Sequence, residues 1–384
     1  MRKVSSQWWD HLLVCGIVFL LGYVLWLASL NLSIFNPLKQ ALEDFKMTDV
    51  YFEMLRGDEK DRAFSDKIVL VDMTKQTRRS DIARTISDIN ACQPRVLMVD
   101  LVFQRPNADL SDDMPLTDAV VEGAADDVFS FKLVDYDPER AAFRGSVKSY
   151  FSDAADFVWG YSNILQTHPG GSVRLYTLTQ HLGDTLVWSM PYLAACRYLG
   201  REPQAEDTDQ RLIVYSDLDF HVIDCDSVAR HADLLRDKVV ILGALDEEAD
   251  KHITPIGKKP GMVIQAYSTL SYIDHPTVRS MSGTTSFLLA FVICMFCAWA
   301  GWRIRQRYPS TYSYVLKLFY FGLTALFVWL SFLSFVYLDY EVDLLYPLLG
   351  MALVEEGRLQ YMFIVRGPLT KWRRRLAEKS IYYQ

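Results

Sequence analysis

Three aspartates stand at or just beyond the ends of apolar, strand-like runs. Asp72 closes KIVLVDM (Lys67–Met73), Asp100 lies in RVLMVDLVF (Arg95–Phe103), and Asp250 follows KVVILGAL (Lys238–Leu245). Carboxylates gathered at one sheet edge could coordinate a hard cation such as Ca²⁺ or Mg²⁺ through oxygen ligands. They could equally pair with Arg78, Arg105 or Arg174, or cap helices. His252, beside Asp250, carries the side chain whose charge changes near neutral pH; as an ordinary loop histidine it needs no role. Asp217 and Asp219 in YSDLDF give a D-x-D spacing, used in some metal-assisted phosphoryl chemistry, but without the rest of such a constellation a turn between strands explains them. No G-x-S-x-G, H-E-x-x-H, G-x-G-x-x-G or P-loop occurs. The expectation is a protein that is not an enzyme and carries no cofactor, with any metal left undefined.

The elements that must hold these residues read as alternating strands and helices. Between the first two strands, SDIARTISDINACQ places Ile82, Ile86 and Ile89 at helical spacing behind Ser80, an N-cap candidate. Near-continuous apolar strands joined by helices imply an α/β domain with a mixed or parallel sheet and helices on both faces. RLIVYS and DSVARHADLLRD precede KVVILGAL. The middle, roughly 126–186, is rich in turn residues and should hold antiparallel strands such as SVRLYTLT. Gly243 lets the chain turn at a strand's carboxyl end, where open α/β sheets bind ligands. The loop Asp246–Lys259 therefore falls where a site would form. It contains Thr254-Pro255, and Pro260-Gly261 then starts a helix reaching about Ile273. Cys92, Cys196 and Cys225 match no zinc spacing, leaving buried thiols or one disulfide.

Hydrophobic residues reach 51%, aromatics 13% and charged residues 23%, the mixture expected of an α/β domain joined to a transmembrane helical bundle. Leu12–Leu30 has 19 residues without a charge, just enough to cross ~30 Å of hydrocarbon. Arg2 and Lys3 precede it and no clear A-x-A site follows, so an uncleaved signal anchor is expected. Ser282–Trp302 and Leu318–Leu338 are further spans. A fourth runs from near Leu344 toward Val365 and is interrupted by Glu355, Glu356 and Arg358. Such charges are costly in lipid, so they must face a protein interior, a partner or water, either near mid-membrane or at the cytoplasmic surface. Basic residues flank the N-terminus, the RIRQR loop and the KWRRR tail, whereas the DYEVD loop has none. Both termini are thus expected in the cytoplasm and residues 33–281 outside it, as in a multi-pass protein of the inner membrane. The expected divisions are 1–32 (anchor), 33–281 (ectodomain), 282–365 (three helices) and 366–384 (basic tail). Residues 33–284 hold 27 Lys and Arg against 40 Asp and Glu, a net of −13. That balance argues against nucleic acid and leaves cations, small polar ligands and proteins.

The order of anchor, α/β ectodomain and closing helices resembles the CHASE2-domain sensor proteins. The resemblance rests on VDLVF (Val99–Phe103), GGSVR (Gly170–Arg174), KVVILG (Lys238–Gly243) and, above all, Asp250 with Thr254-Pro255 and PGMVIQA (Pro260–Ala266). These cover about 35–275. Gln265 stands where the family usually has histidine, and the family's arginine-bearing helix start corresponds to Arg78 or Arg79. The resemblance implies an extracytoplasmic signal, and the strand-end and loop positions make Asp72, Asp100, Arg174, Asp250 and His252 the candidate residues for binding it. Only 366–384 follow the last span, too little for a kinase or cyclase, so the implied signal passes through the helices to a separate signalling or membrane-complex protein. The alternative is an assembly subunit of an inner-membrane complex whose ectodomain binds protein.

Overall fold

A computed structural model describes residues 4–31, 47–56, 62–76, 78–107, 110–123, 127–164, 171–204, 210–246, 248–276 and 278–366. The chain forms two compact units, residues 49–279 and residues 1–48 with 280–384. Arg2, Lys3, Gly170 and the KWRRR tail lie outside the described residues.

Helix α1 (Val4–Asn31) comes first, then α2 (Met47–Arg56). The α/β unit continues with β1 (Phe64–Asp72), α3 (Arg79–Ala91), β2 (Val96–Val99), α4 (Leu110–Glu122), β3 (Val128–Asp137), β4 (Ala142–Val147) and β5 (Val158–Tyr161). Next come β6 (Leu175–Thr177), β7 (Thr179–Leu182), β8 (Thr185–Trp188), α5 (Met190–Leu199), β9 (Gln210–Leu212) and β10 (Asp219–Asp224). Then α6 (Ala232–Leu235), β11 (Val239–Gly243), β12 (Lys251–Thr254), β13 (Gly257–Pro260) and α7 (Gly261–Asp274) complete it.

The main sheet runs β10-β1-β11-β2-β3-β4-β7-β8, with β5 also paired to β3. β10, β1, β11, β2 and β3 are mutually parallel, and β4 turns antiparallel to β3. The three apolar runs read from sequence are neighbours at its centre. Their continuity has a simple cause. Val69, Val71, Leu97, Val99, Val240 and Leu242 pack with Ile82, Ile86, Ile89, Leu116 and Val120 of α3 and α4. The intervening Ile68, Leu70, Met98 and Ile241 are just as buried and face α7, where Thr269 Oγ1 lies 3.8 Å from Met98 Sδ. Each such side chain contributes about 1.5–3 kcal/mol on burial, so neither face tolerates a polar alternation.

Three local expectations change. Asp246–Lys259 is not an open loop: after a 3₁₀ turn at Glu248–Asp250, β12 and β13 form an antiparallel hairpin. Pro255 and Ile256 connect its strands, Thr254 Oγ1 donates to the Gly257 carbonyl at 2.5 Å, and Gly257 takes φ +94°, a value other residues rarely adopt. SVRLYTLT splits: β6 pairs antiparallel with β9 in a separate two-stranded sheet, whereas β7 joins the main one. DSVARHADLLRD is mostly a 3₁₀ stretch, Cys225–His231, with only four α-helical residues after it. Cys92, Cys196 and Cys225 are buried free thiols.

In the other unit, α1 is joined by α8 (Gly283–Arg307), α9 (Tyr312–Leu338) and α10 (Leu345–Arg366). α1, α8 and α10 pack through Val14, Cys15, Val18, Ile293, Cys294, Cys297, Ala298, Met351 and Val354. Small residues permit the close approach that helices in lipid use in place of a hydrophobic drive. At Gly357 an added Cβ would lie 2.5 Å from Val18 Cγ2. Among the described residues three helices, α1, α8 and α9, are long and apolar enough to cross a membrane. The expected fourth span does form a 22-residue helix, α10, but Glu355, Glu356 and Arg358 keep it out of that class.

Candidate functional site

Asp250 is placed by the 3₁₀ turn ahead of the hairpin and acts on the helix after it. Its Oδ2 accepts from the Gly261 backbone N–H at 3.1 Å. A carboxylate there satisfies an otherwise free donor and complements the positive end of the helix dipole. The spacing of the motif follows from this contact. A Cβ at Gly261 would lie 2.4 Å from Asp250 Oδ2, so any other residue there would have to push the capping carboxylate aside. The hairpin folds the chain back so that position 250 meets position 261, and Pro260 supplies the extended residue before the helix. His252 Nε2 lies 3.7 Å from Asp250 Oδ1, and the Asp250 side chain remains 43% exposed. Val173 donates its N–H to the Ile253 carbonyl at 2.8 Å, seating the SVR segment on the hairpin.

Asp100 follows β2 directly and is half-buried. Loss of hydration pushes its pKa up; Lys132 opposes the rise, and the charge of Asp250 adds to it. Gly243, at the end of β11, makes room: an added Cβ would sit 3.6 Å from Asp100 Cβ and 2.9 Å from Met262 Sδ. On the other side the Ser162 carbonyl accepts from Gln265 Nε2 at 2.9 Å and from Lys132 Nζ at 3.4 Å. Gln265 is 4% exposed, so the residue that departs from the family's histidine is a buried donor to backbone. The Ser162 hydroxyl partly offsets the Asp100 shift without completing a hydrogen bond among the described residues. The structure therefore brings together Asp100, Asp250, His252, Lys132, Ser162 and Gln265 around the carboxyl end of the sheet and the start of α7.

Asp72 and Arg174 are engaged elsewhere. Asp72 Oδ1 accepts from Thr74 N–H at 2.9 Å, Thr74 Oγ1 at 2.5 Å and Leu245 N–H at 3.2 Å, which locks the turns after β1 and β11. Arg174 grips Asp49 of α2 through Nε at 2.9 Å and a terminal nitrogen at 2.6 Å, the two-pronged pairing arginine favours. Asp219 opens β10 and pairs with Arg62 at 3.5 Å. Among the described residues no three His, Cys, Asp or Glu side chains form a metal-binding group.

A second polar assembly, invisible in the sequence, surrounds the start of α3. Asp112 Oδ1 accepts from the Ser80 N–H at 2.9 Å and Oδ2 from the Arg79 N–H at 3.1 Å. Those bonds, from Ser80 above all, hold its carboxyl below the usual range. The Arg79 guanidinium pairs with Asp113, donates to the Arg105 carbonyl at 2.7 Å, and lies over the rings of Phe103 and Tyr150 at 5.5 and 5.2 Å. Arg78 is the N-cap of this helix and Arg79 its first residue, and it is the Arg79 side chain that the assembly holds.

A larger cavity of about 1160 Å³ lies at the opposite, amino-terminal edge of the strands, lined in part by Arg95, Trp159, Trp188, Arg197 and Arg201. It contains none of the residues above. A smaller cavity of about 20 Å³ touches Gln265, Ser268, Asn163 and Ser189. In the helical unit, Glu355 Oε2 lies 2.7 Å from an Arg358 nitrogen and 3.7 Å from one of Arg305, while Glu356 is exposed.

A parallel-centred α/β domain with a polar carboxyl edge shares one chain with helices long and apolar enough to cross a membrane. The family model for the CHASE2 domain matches residues 14–301, and the chain belongs to that family of extracytoplasmic sensory domains. Comparison with curated proteins and with solved structures found no match.

Proposed function

We propose that this protein is a multi-pass inner-membrane receptor. Its α/β domain lies outside the cytoplasm, binds a cation or small polar ligand without catalysing a reaction, and relays that event through its helices to a separate protein. The observation that carries the reading is the Asp250–Gly261 contact. A partly exposed carboxylate caps α7 while standing in the field of the half-buried Asp100 carboxyl. A cationic ligand that recruits Asp250 would withdraw the cap. Only the stretch from His275 to Ser282 separates the end of α7 from α8, so a change in α7 has a short covalent route to a membrane helix. The ligand acts only through unequal affinity for the capped and uncapped arrangements. The basic residues of RIRQR, at the end of α8, and of the two ends support a cytoplasmic location for both termini.

The test is recovery of partner proteins in mild detergent, together with downstream output, from wild type, Asp250→Ala and a flexible Gly-Ser insertion after Asp274. Loss of output with retained folding and insertion in both variants is expected. Wild-type behaviour in both removes the coupling and leaves the assembly-subunit reading in its place. A cysteine introduced in RIRQR, at the end of α8, should resist an impermeant reagent on intact cells, and one in DYEVD should react.

A further inference from the structure

We propose that Arg305 and Arg358, positioned by Glu355, bind the phosphate of an anionic phospholipid headgroup at one membrane face. The charge of the cluster is unbalanced: two guanidinium groups converge on the single Oε2 of Glu355, at 3.7 and 2.7 Å. Their Nε donors are both buried and make no hydrogen bond among the described residues. Neighbouring groups do not repair this. The Tyr312 ring covers Arg305 at 4.3 Å, offering a face rather than an acceptor oxygen. Glu355 Oε1 and Tyr320 Oη turn inward over Gly301, 3.4 and 3.8 Å from where its Cβ would be. Two guanidinium forks that share one carboxylate oxygen keep further donors for phosphate oxygens, which guanidinium engages in pairs.

The level is right for a headgroup. About 20 residues cross ~30 Å of hydrocarbon, which from Gly283 brings the boundary to about Trp302. Trp299 and Trp302 lie there, with the Arg303 guanidinium 6.0 Å from each ring, as in an interfacial aromatic belt. Arg305 and Arg358 therefore stand where their long side chains reach the phosphate layer. Arg303, which is exposed, adds positive charge beside the cluster, and basic pockets between membrane helices bind anionic headgroups.

The experiment uses the full chain, delipidated in a neutral detergent, and reads its melting temperature with phosphatidylglycerol, with phosphatidylcholine and with inorganic phosphate alone. Phosphatidylglycerol should raise it, the other two should not, and Arg305→Gln or Arg358→Gln should cut the rise at least twofold. Arg307→Gln, at the exposed end of α8, should keep it. If the glutamine variants fail to fold, Arg305→Lys and Arg358→Lys, which retain charge but lose the fork, should still cut the rise. Equal shifts with phosphatidylcholine, a full shift with inorganic phosphate, or an undiminished rise in the arginine variants would each overturn the lipid site.

Discussion

Phe129 on β3 is 1% exposed and Phe321 on α9 is 74% exposed. The same contrast runs through both units. In the α/β unit Ile68, Leu70, Leu97 and Ile86 are hidden and the exposed positions carry pairs such as Lys258–Glu248. In the helical unit Leu318 and Trp329 are exposed, while Cys15, Cys294, Ala298 and Gly357 make the helix contacts. One chain has thus been written for two solvents. Water drives large apolar groups inward in the first unit; lipid gives them no such preference in the second, so small residues win the interfaces.

The sharpest way to break this comparison is one substitution made twice. Phe129→Ala should cost about 3–5 kcal/mol of unfolding free energy, as deletion of a buried aromatic does, read by denaturation of the full chain in micelles. Arg174→Ala comes next, at about 3 kcal/mol, because it strands Asp49, whose side chain is only 19% exposed, without its bidentate partner. Gly261→Ala should cost about 2 kcal/mol, since its Cβ displaces the Asp250 cap, whereas Asp250→Ala alone should cost about 1 kcal/mol. In the Asp250→Ala background Gly261→Ala should turn neutral or favourable, because alanine is the better helix former. An unchanged penalty there means something other than Asp250 requires the glycine.

Asp100→Asn probes a smaller, pH-dependent term. A carboxyl whose folded pKa lies above its unfolded value, about 3.9, favours the folded state in acid, and that contribution is lost as pH rises through the folded value. The variant should therefore melt higher than wild type at pH 7 and no higher near pH 3.5. A gain of equal size at both would mean that burial of Asp100 is not what the substitution relieves. The smallest effect belongs to Phe321→Ala, expected within about 0.5 kcal/mol. A loss rivalling that of Phe129→Ala would show that this side of α9 is covered by protein.

What could be read from sequence depended on how local the signal was. The three central strands and α3 carry their burial in their own periodicity, and both faces being covered is what makes the strand runs continuous. The Asp250 motif was legible as a succession of residues, but its meaning required the hairpin that brings Asp250 onto Gly261, eleven positions away. Asp72 and Asp100 look alike on paper, each closing an apolar strand. They separate only when Thr74 and Leu245 claim the first and burial claims the second. Lys132 and Ser162 gave little warning: a lone lysine within FSFKLV is the single sign, and its partner lies thirty residues on. The assembly of Asp112 and Asp113 around Arg79 was hidden because α4 has Pro115 inside it and no strong apolar stripe.

Asp112 has one more consequence. A helix start beside the carboxyl edge of a parallel sheet is a natural cradle for phosphate. In this protein the two leading N–H groups of α3 already hold a carboxylate supplied by α4. Any phosphorylated signal would have to displace a tethered competitor whose effective concentration is on the order of millimolar or more. At the start of α3 the fold thereby disfavours anions by competing with them.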